Sequence, residues 1–178
     1  RSSFNEVLLK KEKLKIENIL KNLSYFNASL EILVEEQSKN LINVTYNIDL
    51  GKKSKIKKIS FIGNKIFKDR KLKRIITSEE YKFWKFISGT KYLNENLIAF
   101  DMKLLNNFYL NKGYYNVQIN SSFAKLINED EFELIFNINA NEKFVFDNIT
   151  LNLPVDFERS NFESLIEWIT ELKNENYS

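Results

Sequence analysis

Two carboxylates sit where buried acid–base chemistry would place them. Asp101 falls on the apolar stripe of a helical pattern carrying Leu97, Ile98, Leu104, Leu105, Phe108 and Tyr109, and Glu12 holds the equivalent place in a similar earlier stretch. A buried carboxylate can act as a general acid or base, but that chemistry needs a second titratable or nucleophilic group, and the pattern brings none near. The alternative is structural hydrogen bonding at a helix start, where the dipole favours negative charge. The 178 residues contain no His and no Cys, so His and Cys nucleophiles and cysteine-ligated metal sites are excluded and zinc lacks its usual ligands. The expectation is a non-enzyme: no catalytic residue, no metal and no cofactor.

Other candidate groups are weaker. Gly63-Asn64 is a lone glycine without the Gly-rich run and Lys-Ser/Thr of a phosphate loop, and reads as a turn. The basic run Lys52, Lys53, Lys55, Lys57 and Lys58 could meet phosphates or anionic headgroups, or be a solvated strand end. Tyr81, Phe83, Trp84, Phe86 and Tyr92 could form a partner patch. The preferred reading folds most of them over the core and leaves one or two rings exposed as anchors. A net charge of +3, with Lys and Arg interspersed among Asp and Glu, argues against a dedicated DNA binder. No apolar run reaches the length of a membrane helix. The opening Arg1-Ser2-Ser3-Phe4 starts in mid-pattern, so the chain reads as a piece of a longer protein.

An internal repeat positions these groups. Asn5–Val34 aligns with Asn94–Phe123 at an offset of 89 residues: Asn5-Glu6 with Asn94-Glu95, Glu12 with Asp101, and Tyr25-Phe26 with Tyr114-Tyr115. Further on the offset becomes 90, with Tyr46 and Ile48 against Phe136 and Ile138, as a hairpin loop of variable length would produce. Asn94 suits a helix N-cap, and Gly113 a left-handed stop that Ser24 fills less well. Alternation follows: Tyr115, Val117, Ile119 and Phe123 on one face, and Asn116, Gln118, Asn120 and Ser122 on the other. After a turn at Asn128-Glu129-Asp130, Phe132, Leu134, Phe136 and Ile138 form the returning strand. Ile56–Ile62 is strand-like and ends at Gly63-Asn64, and Asp69 caps a helix with Leu72, Ile75 and Ile76. The predicted class is α+β with a β-α-α-β-β unit. Residues 53–142 hold one complete unit, 1–52 the second helix and hairpin of a preceding one, and 143–178 the first strand (Phe144–Leu151) and helix of a following one. That last helix opens at Ser160-Asn161-Phe162-Glu163, a capping-box pattern. Short linkers near Leu50–Lys53 and Asn139–Phe144 would act as limited hinges.

Two segments carry a resemblance. Lys55–Phe67 (KIKKISFIGNKIF) resembles the opening of a POTRA domain, whose first strand ends in a Gly-Asn turn followed by an aromatic. Leu105–Ile119 (LNNFYLNKGYYNVQI) is similar to its second helix running through a Gly-Tyr step into the second strand. With the repeat, the chain looks like tandem POTRA units of the BamA family of outer-membrane protein assembly factors. The resemblance implies units with a three-stranded mixed sheet covered by two helices, in the periplasm, ahead of a C-terminal membrane β-barrel of the same chain. It implies handling of unfolded outer-membrane proteins, docking of accessory lipoproteins and no nucleic acid. The long segment Glu79–Tyr92 is similar to that of middle POTRA units, which would put the complete unit third. Other POTRA-bearing transporters, a two-partner secretion pore or TamA, are the alternative, followed by an αβ nucleic-acid-binding module. That module would need aromatics and Lys where the outward strand positions carry Asn, Gln and Ser.

Gly113 to Ala124 contains no charged residue, whereas the counterpart strand carries Glu31, Glu35 and Glu36. Natural sheet edges use charge, Pro or bulges against unwanted pairing. The candidate protein-binding residues are therefore Tyr115, Asn116, Val117, Gln118, Ile119, Asn120, Ser121, Ser122 and Phe123, an edge open to strand addition. The competing reading has a neighbouring domain or loop covering that edge.

Overall fold

The computed structural model describes residues 5–38, 41–84, 88–125, 128, 130–153 and 158–171. Asn5 caps helix α1 (Glu6–Asn22) by accepting the Val7 N–H at 2.9 Å. Strands β1 (Ser29–Ser38) and β2 (Leu41–Asp49) follow as an antiparallel pair, with Leu30 opposite Ile48 and Ile32 opposite Tyr46. The Tyr46 hydroxyl donates to the Glu12 carboxylate at 2.7 Å, so Glu12 ties the hairpin to α1. That bond also holds the phenol above its ordinary pKa.

The complete unit runs β3 (Lys55–Asn64), α2 (Asp69–Leu72), α3 (Glu95–Leu110), β4 (Gln118–Lys125) and β5 (Glu131–Asn139). The sheet order is β3-β5-β4: β3 is parallel to β5 and β4 antiparallel to it. This is the expected α+β class with a three-stranded mixed sheet. Alternation on β5 puts Phe132, Leu134, Phe136 and Ile138 into the core, where they meet Ile56, Ile59 and Phe61 of β3 and Ile98, Leu105 and Tyr109 of α3. Gly63 has φ +87, and a Cβ there would lie 2.5 Å from both Asn137 Oδ1 and the Ile138 carbonyl oxygen, so only glycine lets β3 approach β5 this closely.

The two resembling segments meet in one aromatic cluster. Phe67 lies edge-on to Phe108 (4.8 Å), Tyr109 (5.2 Å) and Tyr114 (6.1 Å). Asn94 caps α3 as expected, accepting from Leu97 N–H at 2.9 Å.

Several expectations need correction. Helix α2 is one turn long, and Asp69 is its first residue, with Lys68 at the cap position. The Asp69 carboxylate pairs with the Lys65 ammonium. Beyond Leu72 the chain bends so that Thr77 and Ser78 can reach Asp101. Strand β4 starts at Gln118, with Tyr115 and Asn116 in a preceding turn. The segment Phe144–Leu151 forms no strand among the described residues, only an isolated bridge at Val145. A 3₁₀ turn, Arg159–Phe162, precedes helix α4 (Glu163–Glu171), so the last helix begins at Glu163.

The two junctions of the complete unit share one construction. Ser54 N–H donates to the Ser24 carbonyl at 2.8 Å, and Phe144 N–H to the Gly113 carbonyl at 2.7 Å. Both acceptors are left-handed (φ 73 and 87), and so are the linker residues Gly51 (φ 58) and Asn141 (φ 55). At the first junction Phe26 packs on Phe123 and Phe132, and Lys53 lies over the rings of Tyr25 and Tyr92.

Asp101 is fully buried, and its carboxylate accepts Thr77 N–H (2.6 Å) and Ser78 N–H (3.1 Å). Its role in the fold is to satisfy two backbone donors where α2 ends. Asp101→Ala orphans them and is expected to lower unfolding free energy by about 1–3 kcal/mol, read as the midpoint shift in urea. Asp101→Asn keeps one acceptor oxygen and should fall between.

Candidate functional site

The three-stranded sheet has two lateral edges, β3 and β4, and the chain treats them differently. Along β3 the outward backbone groups are taken up by the unit itself. Leu93 N–H donates to the Ser54 carbonyl (2.8 Å) and Tyr81 N–H to the Ile56 carbonyl (2.6 Å). Glu80 accepts from Ile59 N–H at 3.0 Å, and the Lys65 ammonium donates to the Phe61 carbonyl at 2.8 Å. Glu80, Tyr81 and Leu93 thus cover the first half of β3, and Lys65 guards the second half with charge.

On β4, Gln118, Asn120 and Ser122 are exposed, while Ile119 and Ser121 are half-buried against the core. Among the described residues no side chain or loop takes the lateral backbone groups of Ile119–Ser122. Phe123 is 42% exposed, and its ring sits 5.1 Å from Phe26. Of the candidate residues, Gln118 through Phe123 therefore share one strand. Tyr115, Asn116 and Val117 precede it: the Tyr115 ring contacts Phe144 (6.3 Å), and the Asn116 carbonyl accepts from the Asn141 side chain at 2.6 Å. A groove of about 640 Å³ lined by Asn116, Val117, Gln118, Asn141, Glu142 and Phe144 adjoins this end of the strand.

The other candidates separate cleanly. Much of the basic run is ion-paired to the β5 end: Lys55 with Asp130 (2.8 Å), Lys57 with Glu131 (3.2 Å) and Lys58 with Glu133 (2.9 Å). Tyr81 and Tyr92 pack together at 6.3 Å with Lys53, Lys55 and Lys91 over their rings. Phe83 (72% exposed) and Trp84 (60%) stand out from the unit as an edge-to-face pair at 4.7 Å; Phe86 lies outside the described residues. No group of acidic side chains capable of holding a metal occurs among the described residues, and none of their helices is long and apolar enough to cross a membrane. Phe26, Asn141, Glu80 and Lys65 border or guard the edges without having been singled out as site residues. Phe26 could have been found from its pairing with Tyr115 in the repeat; Glu80 and Lys65 act through backbone bonds that leave no periodic trace.

With Gly63-Asn64 closing strand β3, where a turn was expected, and a Gly-Tyr step leading into β4, residues 54–141 match a known family, the POTRA family described as "Surface antigen variable number repeat". Residues 54–141 are a POTRA domain. Over 116 residues, 65% of the chain, the sequence is 31% identical to outer membrane protein assembly factor BamA of Neisseria meningitidis serogroup B. Over 112 residues, 63% of the chain, it is 28% identical to BamA of Neorickettsia risticii. The chain spans 14% and 15% of the lengths of these two relatives. The POTRA fold is also that of Haemophilus ducreyi BamA lacking POTRA domains 1–3 (TM-score 0.52, 20% identity, 76% of this chain and 23% of that one). Haemophilus influenzae BamA POTRA3-5 matches with TM-score 0.50 at 14% identity, over 97% of this chain and 69% of that one.

Three carboxylates of this POTRA domain hold its β3 side together, and their ionisation predicts a pH response. Burial pushes the Glu80 carboxyl up, but the Lys73 ammonium and Ile59 N–H outweigh it and hold the group below its ordinary value. Asp130 is lowered by Lys55, and Glu133 by the Ser60 hydroxyl and then Lys58. A carboxyl lowered in the folded state adds stability above its unfolded pKa and loses it as pH falls through the folded value. The thermal midpoint should therefore be flat above about pH 5 and fall below about pH 4. In Glu80→Gln the decline should be shallower, with circular dichroism melts as the measurement.

Proposed function

We propose that this chain is a non-catalytic binding segment of a periplasmic POTRA array that serves outer-membrane protein assembly. Residues 53–142 form its complete unit, 1–52 the end of the unit before, and 143–178 the start of the unit after. The likeness to BamA relatives across about two thirds of the chain supports the assembly role. The shared junction geometry supports the tandem reading. In the full-length protein the array is attached to the outer membrane by a C-terminal β-barrel, and its partners are unfolded outer-membrane proteins and accessory lipoproteins.

The observation that carries the mechanism is the contrast between edges: β3 is closed by its own loop and by charge, and β4 is open and carries no charge from Gln118 to Ala124. An extended segment can add beside β4 through backbone N–H and C=O groups, which read no sequence. Alternating exposed Gln118, Asn120 and Ser122 present no charge to desolvate. A site of this kind tolerates many clients, which suits a module that meets barrel strands before they fold.

Strand β4 begins at Gln118, and proline is tolerated at the first residue of a strand, so the informative variant adds charge further along. Asn120→Lys with Ser122→Lys should leave the circular dichroism spectrum unchanged, because both side chains are exposed. It should weaken binding of an extended, barrel-derived peptide about fivefold, measured by fluorescence anisotropy. Equal affinity for the two proteins would reject the β4 edge and turn attention to the exposed pair Phe83–Trp84.

A further inference from the structure

Strand β4 runs from one junction of the complete unit to the other, and each of its ends is tied to a neighbouring segment. At the C-terminal end, Phe123 meets Phe26 edge-on at 5.1 Å, and the same Phe26 ring lies 6.3 Å from Phe132 of β5. Phe26 belongs to the turn between α1 and β1 and is held there by its neighbours: Ser24 accepts the Ser54 N–H at 2.8 Å, and Lys53 spans the rings of Tyr25 and Tyr92. At the N-terminal end, the Asn141 amide donates to the Asn116 carbonyl at 2.6 Å, and Tyr115 contacts Phe144 at 6.3 Å. Phe144 in turn donates its N–H to Gly113, the residue that launches the turn into β4. The middle of the strand, Ile119–Ser122, makes no hydrogen bond to either neighbour among the described residues.

We infer that strand addition at β4 and the seating of the neighbouring segments on the complete unit are thermodynamically linked, with Phe26 and Asn141 as the positioning residues. This rests on the reading of β4 as the acceptor edge. An added strand straightens and orders β4 along its length. The Phe123 ring and the Asn116 carbonyl are fixed points on that length, so their partners in the adjacent segments are ordered with it. Linkage is reciprocal: if an added strand tightens the junctions, loosening a junction must weaken the added strand. Neither side chain needs to touch the client. Phe26 acts through Phe123, and Asn141 through the turn at Asn116. The effect is regulation of the edge by array geometry: a straightened or sheared junction releases what the edge holds.

The absence of cysteine makes the test direct. Spin labels at Lys15→Cys on α1 and Lys103→Cys on α3, both exposed, report the distance across the first junction by pulsed electron resonance. A barrel-derived extended peptide should shift or narrow that distance distribution, and Phe26→Ala should abolish the response. Peptide affinity should fall about fivefold in Phe26→Ala and in Asn141→Gly, and Phe26→Leu should restore most of it. Asn141→Gly keeps the left-handed backbone and deletes only the amide, so it remains informative if Phe26→Ala disturbs packing. Peptide that binds the parent protein and both variants equally, with no change in distance, overturns the linkage and leaves the open edge standing. Peptide that binds none of them removes the acceptor edge and the linkage together.

Discussion

Strand β5 lies between a parallel neighbour and an antiparallel one, and the arrangement of the complete unit follows from the parallel pair. A hairpin cannot join parallel strands, so everything between β3 and β5 must cross over the sheet. That crossover contains α2, the stretch after it and α3, and leads into β4. The close approach at Gly63 sets the register of β3 on β5, with Phe61 opposite Phe136 and their rings stacked at 5.5 Å. With both neighbours on β5 fixed, its apolar side chains face the helices, and among the described residues β4 is left with one lateral side unpaired. The open edge is thus a by-product of topology; its chemistry is then decided by which side chains line it.

Asp101 shows how a residue with catalytic credentials becomes a structural one. Its burial would be costly if uncompensated, but Thr77 and Ser78 supply two N–H donors at the point where α2 gives way to the covering segment. That segment then reaches β3 through Glu80 and Tyr81. The carboxylate inside the core and the closed edge outside are parts of one path, and Glu80 ends it by accepting the Ile59 N–H.

Patterns that repeat along one element were legible in the sequence. The period-two run Phe132, Leu134, Phe136 and Ile138 is buried throughout, Asn94 caps its helix, and Gly113 takes the left-handed conformation. What escaped was decided by contacts between elements. Tyr115 continues the alternation of β4, yet its ring goes to Phe144 and the Asn116 carbonyl to Asn141, so the ladder starts at Gln118. Leu72, Ile75 and Ile76 suit a longer helix, but Asp101 recruits the backbone just beyond them. Residues Phe144–Leu151 have strand-like composition without a described hairpin to pair with, and burial, not propensity, sustains strands. Of the candidate site, the uncharged strand was readable because charge is a one-letter property. The closure of β3 was not, because it depends on backbone bonds made across the crossover.

The repeat adds a last constraint. Ser24 and Gly113 do the same work at successive junctions, each left-handed and each offering its carbonyl to the next segment, although serine adopts that conformation at some cost. Retaining the geometry with the poorer residue argues that the acceptor carbonyl, more than ease of turning, is what the position requires. The two hairpins that follow these turns share a backbone plan and differ in guarding. At the 89-residue offset, exposed Glu31 of β1 stands where β4 has exposed Asn120, and Glu35 where it has Ala124. Under the proposed strand addition the backbone groups are common to both edges, and exposed charge such as Glu31 would set one apart from the other. A tandem array of the proposed kind could then repeat one fold, with one junction rule, and still vary its edges through a few exposed positions that contribute little to folding.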